Sequence, residues 1–281
     1  MPRKLAIVTG GTAGLGLETS KELAKLGYDL VITGRSSTKA VEARASIISQ
    51  APAAEVIWYQ LDQSDLNEIV DFCDWIGERK WNLLVNNAGA KIERPHKLTR
   101  QGFEWHIGVN HLSHLFLTQL LVSKAQPAAR VVFVSSIVAA GARFETDIDY
   151  SICTPSVAYR DSKLGNLVSA IKIGELLSEN GSDITVTAAH PGFAKASSYG
   201  TRFTRFAEAI LAQSASRGAQ TIVAACFAPA GSYIAPRLLQ LWGRPAEVSH
   251  PRVAIDELKS ERIWQFALED LRKYRATLTG H

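Results

Sequence analysis

The stretch Thr9–Gly16, TGGTAGLG, constrains the chain more than any other. It follows the apolar run KLAIV and leads straight into LETSKELAKLG, whose apolar residues recur at helical spacing. Glycines at 10, 14 and 16 let the backbone turn tightly and leave room for a ligand against the main chain. The start of the following helix favours negative charge at that point. Strand, glycine turn and helix in this order open a βαβ unit of the kind that cradles a dinucleotide pyrophosphate. Gly10, Thr12, Gly14, Leu15 and Gly16 are therefore the first candidate coenzyme contacts.

The rest of the chain keeps the same rhythm. YDLVITG, AEVIWYQLD, NLLVNNAG, ARVVFVSS and DITVTAAHPG read as strands, with amphipathic helical stretches between them. Continuous apolar strands alternating with helices imply a parallel sheet covered on both faces. The expected architecture is α/β, a single-domain Rossmann fold over residues 1–281: a doubly wound parallel sheet of about seven strands with helices on both faces. The alternation breaks at about 197–218 and at 242–257. A substrate lid is expected around 193–218 and a peripheral C-terminal segment over 242–281.

Bulk properties narrow the function classes. Hydrophobic residues make up 46% and charged residues 21% of the 281, a globular composition. A net charge of +4, without basic clusters or tails in the sequence, argues against nucleic acid. Cys73, Cys153 and Cys226 lack metal-ligand spacing and suit reduced thiols, hence a cytoplasmic setting. No apolar run is long enough for a signal segment or a membrane span. The sequence allows a homo-oligomer without requiring one.

The end of the second strand addresses coenzyme choice. An NAD site usually offers an acidic residue about 20 positions after the glycines. Here the chain offers Thr33, Gly34, Arg35 and Ser36, with no acidic residue before Glu42. A guanidinium suits a 2′-phosphate, so NADP(H) is expected over NAD(H), with Arg35, Ser36 and Lys39 nearest the phosphate. Asp62 can accept from the adenine amino group or serve as a turn residue. In NNAG, Asn87, Ala88 and Gly89 are small enough to lie against adenine and ribose, and the amides can brace neighbouring strands.

In AYRDSKLGNL, Tyr159 and Lys163 stand one helical turn apart. Alone that pairing means little. Together, however, TGGTAGLG, NNAG, VSS and YRDSK resemble the short-chain dehydrogenase/reductase family over residues 4 to 236. GFEWHIGVNHLSHLFLT and the later GSYIAP and RIWQFALEDL resemble its retinol-dehydrogenase-like and WW-domain-oxidoreductase-like branch, without a WW module. The resemblance implies Tyr159 as acid/base, Lys163 as its partner, Ser136 as the substrate-orienting hydroxyl and Asn110 as the structural asparagine. An ammonium and a cationic nicotinamide should both lower the phenol's pKa from its usual value near 10. Asn110 is expected to hold a water that feeds protons past Lys163.

Pro191-Gly192 matches the family's turn beside the nicotinamide, but Ala194 stands where a threonine is usual, with Ser197 or backbone amides as the alternative substitutes. The 23 positions from Ser136 to Tyr159 are more than in compact members. Phe193, Tyr199, Phe203 and Phe206 suggest an apolar lid and a small hydrophobic alcohol or carbonyl substrate. Two alternatives stay open: a non-catalytic NADP(H)-sensing scaffold that binds a partner, and a reductase of an imine or enone. His106, His111 and His114 lack a carboxylate or thiol at ligand spacing, so packing is expected of them rather than metal.

Overall fold

The computed structural model describes residues 3–90, 97–144, 153–192 and 214–279. The first half runs β1 (Lys4–Val8), α1 (Gly14–Lys25), β2 (Tyr28–Gly34), α2 (Ser37–Gln50), β3 (Val56–Gln60), α3 (Leu66–Ile76) and β4 (Trp81–Asn86). A π-helical turn, Ile107–Leu112, then passes directly into α4 (Ser113–Leu121). β5 (Ala125–Val134), a 3-10 turn (Ile137–Gly141), α5 (Pro155–Glu179) and β6 (Thr185–Ala189) follow. The chain closes with α6 (Ala215–Ala225), β7 (Tyr233–Leu238), β8 (Trp242–Val248), α7 (Arg252–Ile255) and α8 (Glu257–Thr279).

The strands form one sheet in the order β3-β2-β1-β4-β5-β6-β7-β8. β1 through β7 pair in parallel, and β8 returns antiparallel along β7. The order reverses between β1 and β4, which is where an open α/β sheet leaves a crevice at its C-terminal edge. Val8 there stands level with Val85, so Thr9 and the NNAG segment emerge side by side.

Side-chain alternation builds a core on each face. Ile7 of β1 points into a cluster with Phe72, Leu115, Phe133 and Leu164. Its neighbours Ala6 and Val8 enter the opposite cluster with Leu23, Ile47 and Ile222. A period of two on strands covered on both sides is what the near-continuous apolar runs require. Both faces are filled.

The sheet has one strand more than expected. β8 lies in the stretch taken for a peripheral element, and its sequence WGRPAEV shows no apolar run. It is a partly exposed edge strand in which Pro245 stands opposite Pro236, a placement that edges tolerate. The β7–β8 turn places Leu239 and Gln240 at φ 51° and 57°, positions usually signalled by glycine or asparagine. Helix α8 packs onto the sheet, with Ile263, Trp264, Ala267 and Leu271 buried in the larger core.

Candidate active site

The glycine turn is shaped as its sequence implied. Gly10 and Gly14 adopt left-handed φ of 64° and 54°. A Cβ on Gly16 would sit 2.3 Å from the Gly10 carbonyl oxygen, whereas one on Gly14 would meet nothing within 4 Å. The turn is therefore tight at its base and open at its rim. Ala13 precedes α1 without a side-chain cap, so the first N–H groups of that helix have no capping partner. An open rim, uncapped amides and absent Cβ atoms fit a pyrophosphate. Thr12 packs beneath the end of β2, since a Cβ on Gly34 would lie 2.4 Å from its Oγ1. Leu15 is half-buried at the start of α1.

Thr9, which sequence reasoning passed over, ties this turn to NNAG. Asn87 donates its Nδ2–H to the Thr9 carbonyl at 2.8 Å. The main-chain N–H groups of Asn87 and Ala88 both donate to Thr9 Oγ1 at 2.9 Å. His114 completes the link: its Nδ1 donates to the Asn110 carbonyl at 3.1 Å, which leaves Nε2 to accept from the Thr9 hydroxyl at 3.0 Å. Burial pushes the His114 pKa down to about 3, which keeps the ring neutral and this tautomer in place. The bracing expected of NNAG is thus present, and Asn86 extends it by donating to Thr118 Oγ1 at 2.8 Å.

Beyond β2, Arg35 is exposed and makes no ion pair among the described residues. Ser36 serves as the cap of α2, accepting from Lys39 N at 3.4 Å, so its oxygen is already engaged. Asp62 likewise accepts from Ser64 N at 2.9 Å while its own N–H donates to Glu68, the turn role.

The second cluster stands at the ends of β4, β5 and α5. Pro155 opens α5 at its first turn, where a missing N–H costs nothing, and the helix carries Tyr159 and Lys163 on one face. Ser136 leaves β5 in extended conformation, and its side chain hydrogen-bonds the Tyr159 hydroxyl. The Lys163 ammonium lies 6.0 Å from the centre of the Tyr159 ring and donates to the Val134 carbonyl at 3.1 Å. On the other side the His106 ring meets Tyr159 edge-on at 5.8 Å and is held by Glu104. A Cβ on Gly89 would lie 3.3 Å from Asn110 Oδ1 and 3.4 Å from Lys163 Nζ, so the NNAG glycine opens the space between both clusters.

One expectation needs correcting here. Among the described residues, burial is the largest influence on Tyr159 and raises its pKa, while the Ser136 hydrogen bond works to lower it. Lys163 is itself buried and pushed down to about 8. The Asn110 side chain, for its part, is occupied: Oδ1 accepts from Ala90 N at 2.8 Å, and Nδ2 donates to the Ala90 carbonyl and Ser162 Oγ. Any water beside this residue falls to the second lone pair of its carbonyl, the first being taken by His114. Asn110 sits in the π-helical turn, a form of helix that recurs at functional sites.

Pro191 is buried after β6, and Gly192 turns the chain at φ 80°. Ala194, Ser197 and the aromatic residues at 193, 199, 203 and 206 lie outside the described residues, as does most of the expected lid. His106, His111 and His114 are all buried, and no group able to hold a metal forms among the described residues.

A sheet that reverses between β1 and β4, a glycine cradle at that point and a serine–tyrosine–lysine cluster beside it define a dehydrogenase-type α/β protein. The chain belongs to the short chain dehydrogenase family, whose pattern it matches over residues 4–203. It is 34% identical over 222 residues to polyprenol dehydrogenase of Homo sapiens, covering 75% of this chain and 67% of that protein. Retinol dehydrogenase 12 of Mus musculus is 35% identical over 198 residues, covering 68% of this chain and 62% of that protein. In the second case the chain spans less than two thirds of its relative's length. An uncharacterised protein from Mycobacterium paratuberculosis shares the structure with a TM-score of 0.79 and 33% identity, over 96% of this chain and 93% of that one.

Proposed function

We propose that this oxidoreductase moves a hydride between NADP(H) and a hydrophobic alcohol or carbonyl compound, with Tyr159 as the acid/base. The observation that carries this reading is the Tyr159 hydroxyl bonded to Ser136 with the buried Lys163 ammonium one helical turn away. When bound, the coenzyme supplies or accepts the hydride. The glycine turn and the amides at the start of α1 hold its pyrophosphate, and Arg35 faces a 2′-phosphate.

In the reduction direction, Ser136 and Tyr159 both donate hydrogen bonds to the substrate oxygen and fix its orientation. Tyr159 gives that oxygen its proton. Lys163 then favours the phenolate by its charge, and its buried position preserves that interaction from solvent. One of its three N–H groups is held by Val134, leaving two for the coenzyme ribose and for proton resupply. Asn110 keeps Ala90 and α5 in register around this unit. Free thiols at Cys73 and Cys226 suit a cytoplasmic setting.

The test is NADPH oxidation across ketones, aldehydes, enones and imines of increasing apolar size. Turnover of a hydrophobic carbonyl that disappears in Tyr159→Phe supports the reading. Tight NADPH binding without turnover of any compound points instead to a nucleotide-sensing role.

A further inference from the structure

A cavity of about 730 Å³ opens just beyond Ser136, lined by Ala140 of the 3-10 turn, by Ala142 and Phe144 after it, and by residues of α7 and α8. Four cations surround it: Arg143, Arg252, Lys259 and Arg262. They come from three separate stretches of chain, and among the described residues none of them forms an ion pair. Among the described lining residues the one carboxylate, Asp256, caps the main chain by accepting from Lys259 N at 3.0 Å. The described lining is thus strongly positive, around a concave space whose size is typical of ligand pockets.

We infer that this cavity is an anion subsite, which takes a carboxylate or phosphate carried at the far end of the oxidoreductase's carbonyl substrate. Like charges gathered around one space repel, and an anion placed among them relieves that repulsion. Three of the four are arginines, whose planar fork matches both carboxylate and phosphate. The apolar share of the lining, with Phe144 and Val253, suits an aliphatic or ring body behind the anionic group.

The position supports a substrate role. Ser136 is the residue from which the 3-10 turn starts, and Ala140 is four residues on. At roughly 2 Å per residue the backbone of Ala140, on the cavity wall, lies about 8 Å from that of Ser136, whose hydroxyl orients the reacting oxygen. One molecule with a carbonyl at one end and an anion at the other bridges that gap. The assignment of this ligand as a substrate rests on the proposed oxidoreductase activity; the anion site itself does not.

The experiment compares medium-chain oxo-acids, their methyl esters and matching oxo-alkyl phosphates as substrates with NADPH. Alongside, decanoate, decyl phosphate and methyl decanoate are titrated calorimetrically against wild type and an Arg252→Gln/Arg262→Gln variant. Both arginines are exposed, so the variant should fold. Expected are KM values at least about tenfold lower for acid or phosphate than for ester, the ratio set by a hydrogen bond to a charged group. In the variant this preference vanishes while the ester's kcat and KM stay unchanged. The relative response to decanoate and decyl phosphate tells which anion the site takes. Equal KM for acids and esters, with no binding of decanoate or decyl phosphate, overturns the subsite and leaves the oxidoreductase reading intact. If no carbonyl compound turns over, that reading falls, and calorimetry alone decides the anion site. Exposed Ile255 and Leu258 on the same helices give a third arm. Binding only to phosphatidylserine vesicles, and to neither soluble anion, overturns the proposal in favour of a membrane surface.

Discussion

Lys163 would stay charged throughout the physiological range at its ordinary pKa, but burial brings it down to about 8. The sign of its effect on stability follows directly. Between about pH 8 and 10.5 the unfolded chain holds a proton that the folded chain has released, so stability rises with pH across that window and is lost as pH falls through 8. Urea midpoints should show wild type gaining on Lys163→Met by up to about 3 kcal/mol over this range; parallel curves would contradict the buried, shifted lysine. The same group predicts a kinetic limb. For carbonyl reduction, kcat/KM should fall above about pH 8, and Lys163→Arg should move that limb upward, because arginine does not titrate there. Tyr159→Phe removes only the hydroxyl bonded to Ser136. It should lower turnover by about 100-fold or more while NADPH affinity, measured by fluorescence titration, changes little. Retention of more than a tenth of the activity would reassign the acid/base. The Tyr159–Lys163 spacing was visible in the sequence because helical geometry is local. The direction of the Tyr159 shift was not, because it depends on how deeply other segments bury the phenol.

The glycine turn and the π-helical turn are both bends in the chain, but they announce themselves differently. Gly10, Gly14 and Gly16 mark the first, since a turn that tight excludes Cβ atoms. Nothing in IGVNHL marks the second, within which Asn110 bonds Ala90 and Ser162 while its carbonyl meets His114. The same holds for the Leu239–Gln240 turn, whose left-handed residues are imposed by the β7–β8 pairing rather than by local preference. The linkage between the two bends can be tested at His114. His114→Leu strips the Nδ1 donor from the Asn110 carbonyl and leaves the Thr9 hydroxyl only the more distant Val85 carbonyl, at 3.3 Å, as acceptor. An orphaned buried group costs about 1–3 kcal/mol, so the urea midpoint should drop clearly. NADPH affinity should weaken with it, since Thr9 is what ties the glycine turn to NNAG. An unchanged midpoint would mean that this network contributes nothing to holding the two bends together.

At the scale of the whole molecule, the alternation of apolar strands and helices was enough to foresee a doubly wound sheet, because each interior strand must bury both faces. The basic cavity escaped for the opposite reason: Arg143 and Arg262 are far apart in the chain and meet only when α7 and α8 fold back against the turn after Ser136. Coenzyme choice also belongs to this scale, since ligand binding stabilises the native state as a unit. Arg35 stands exposed past the end of β2, with no acidic residue at the positions beside it to repel a 2′-phosphate. Its charge-assisted contact should favour NADPH over NADH by about tenfold or more. A ligand at 100 times its dissociation constant stabilises the folded state by about 2.7 kcal/mol, and one at ten times by about 1.4 kcal/mol. At one shared coenzyme concentration chosen to meet those ratios, NADPH should therefore raise the melting temperature about twice as far as NADH. Arg35→Ala should bring the NADPH shift down to the NADH shift and leave the latter where it was. Equal shifts in the wild type would return Arg35 to the role of a solvated loop residue and leave the coenzyme choice to other contacts.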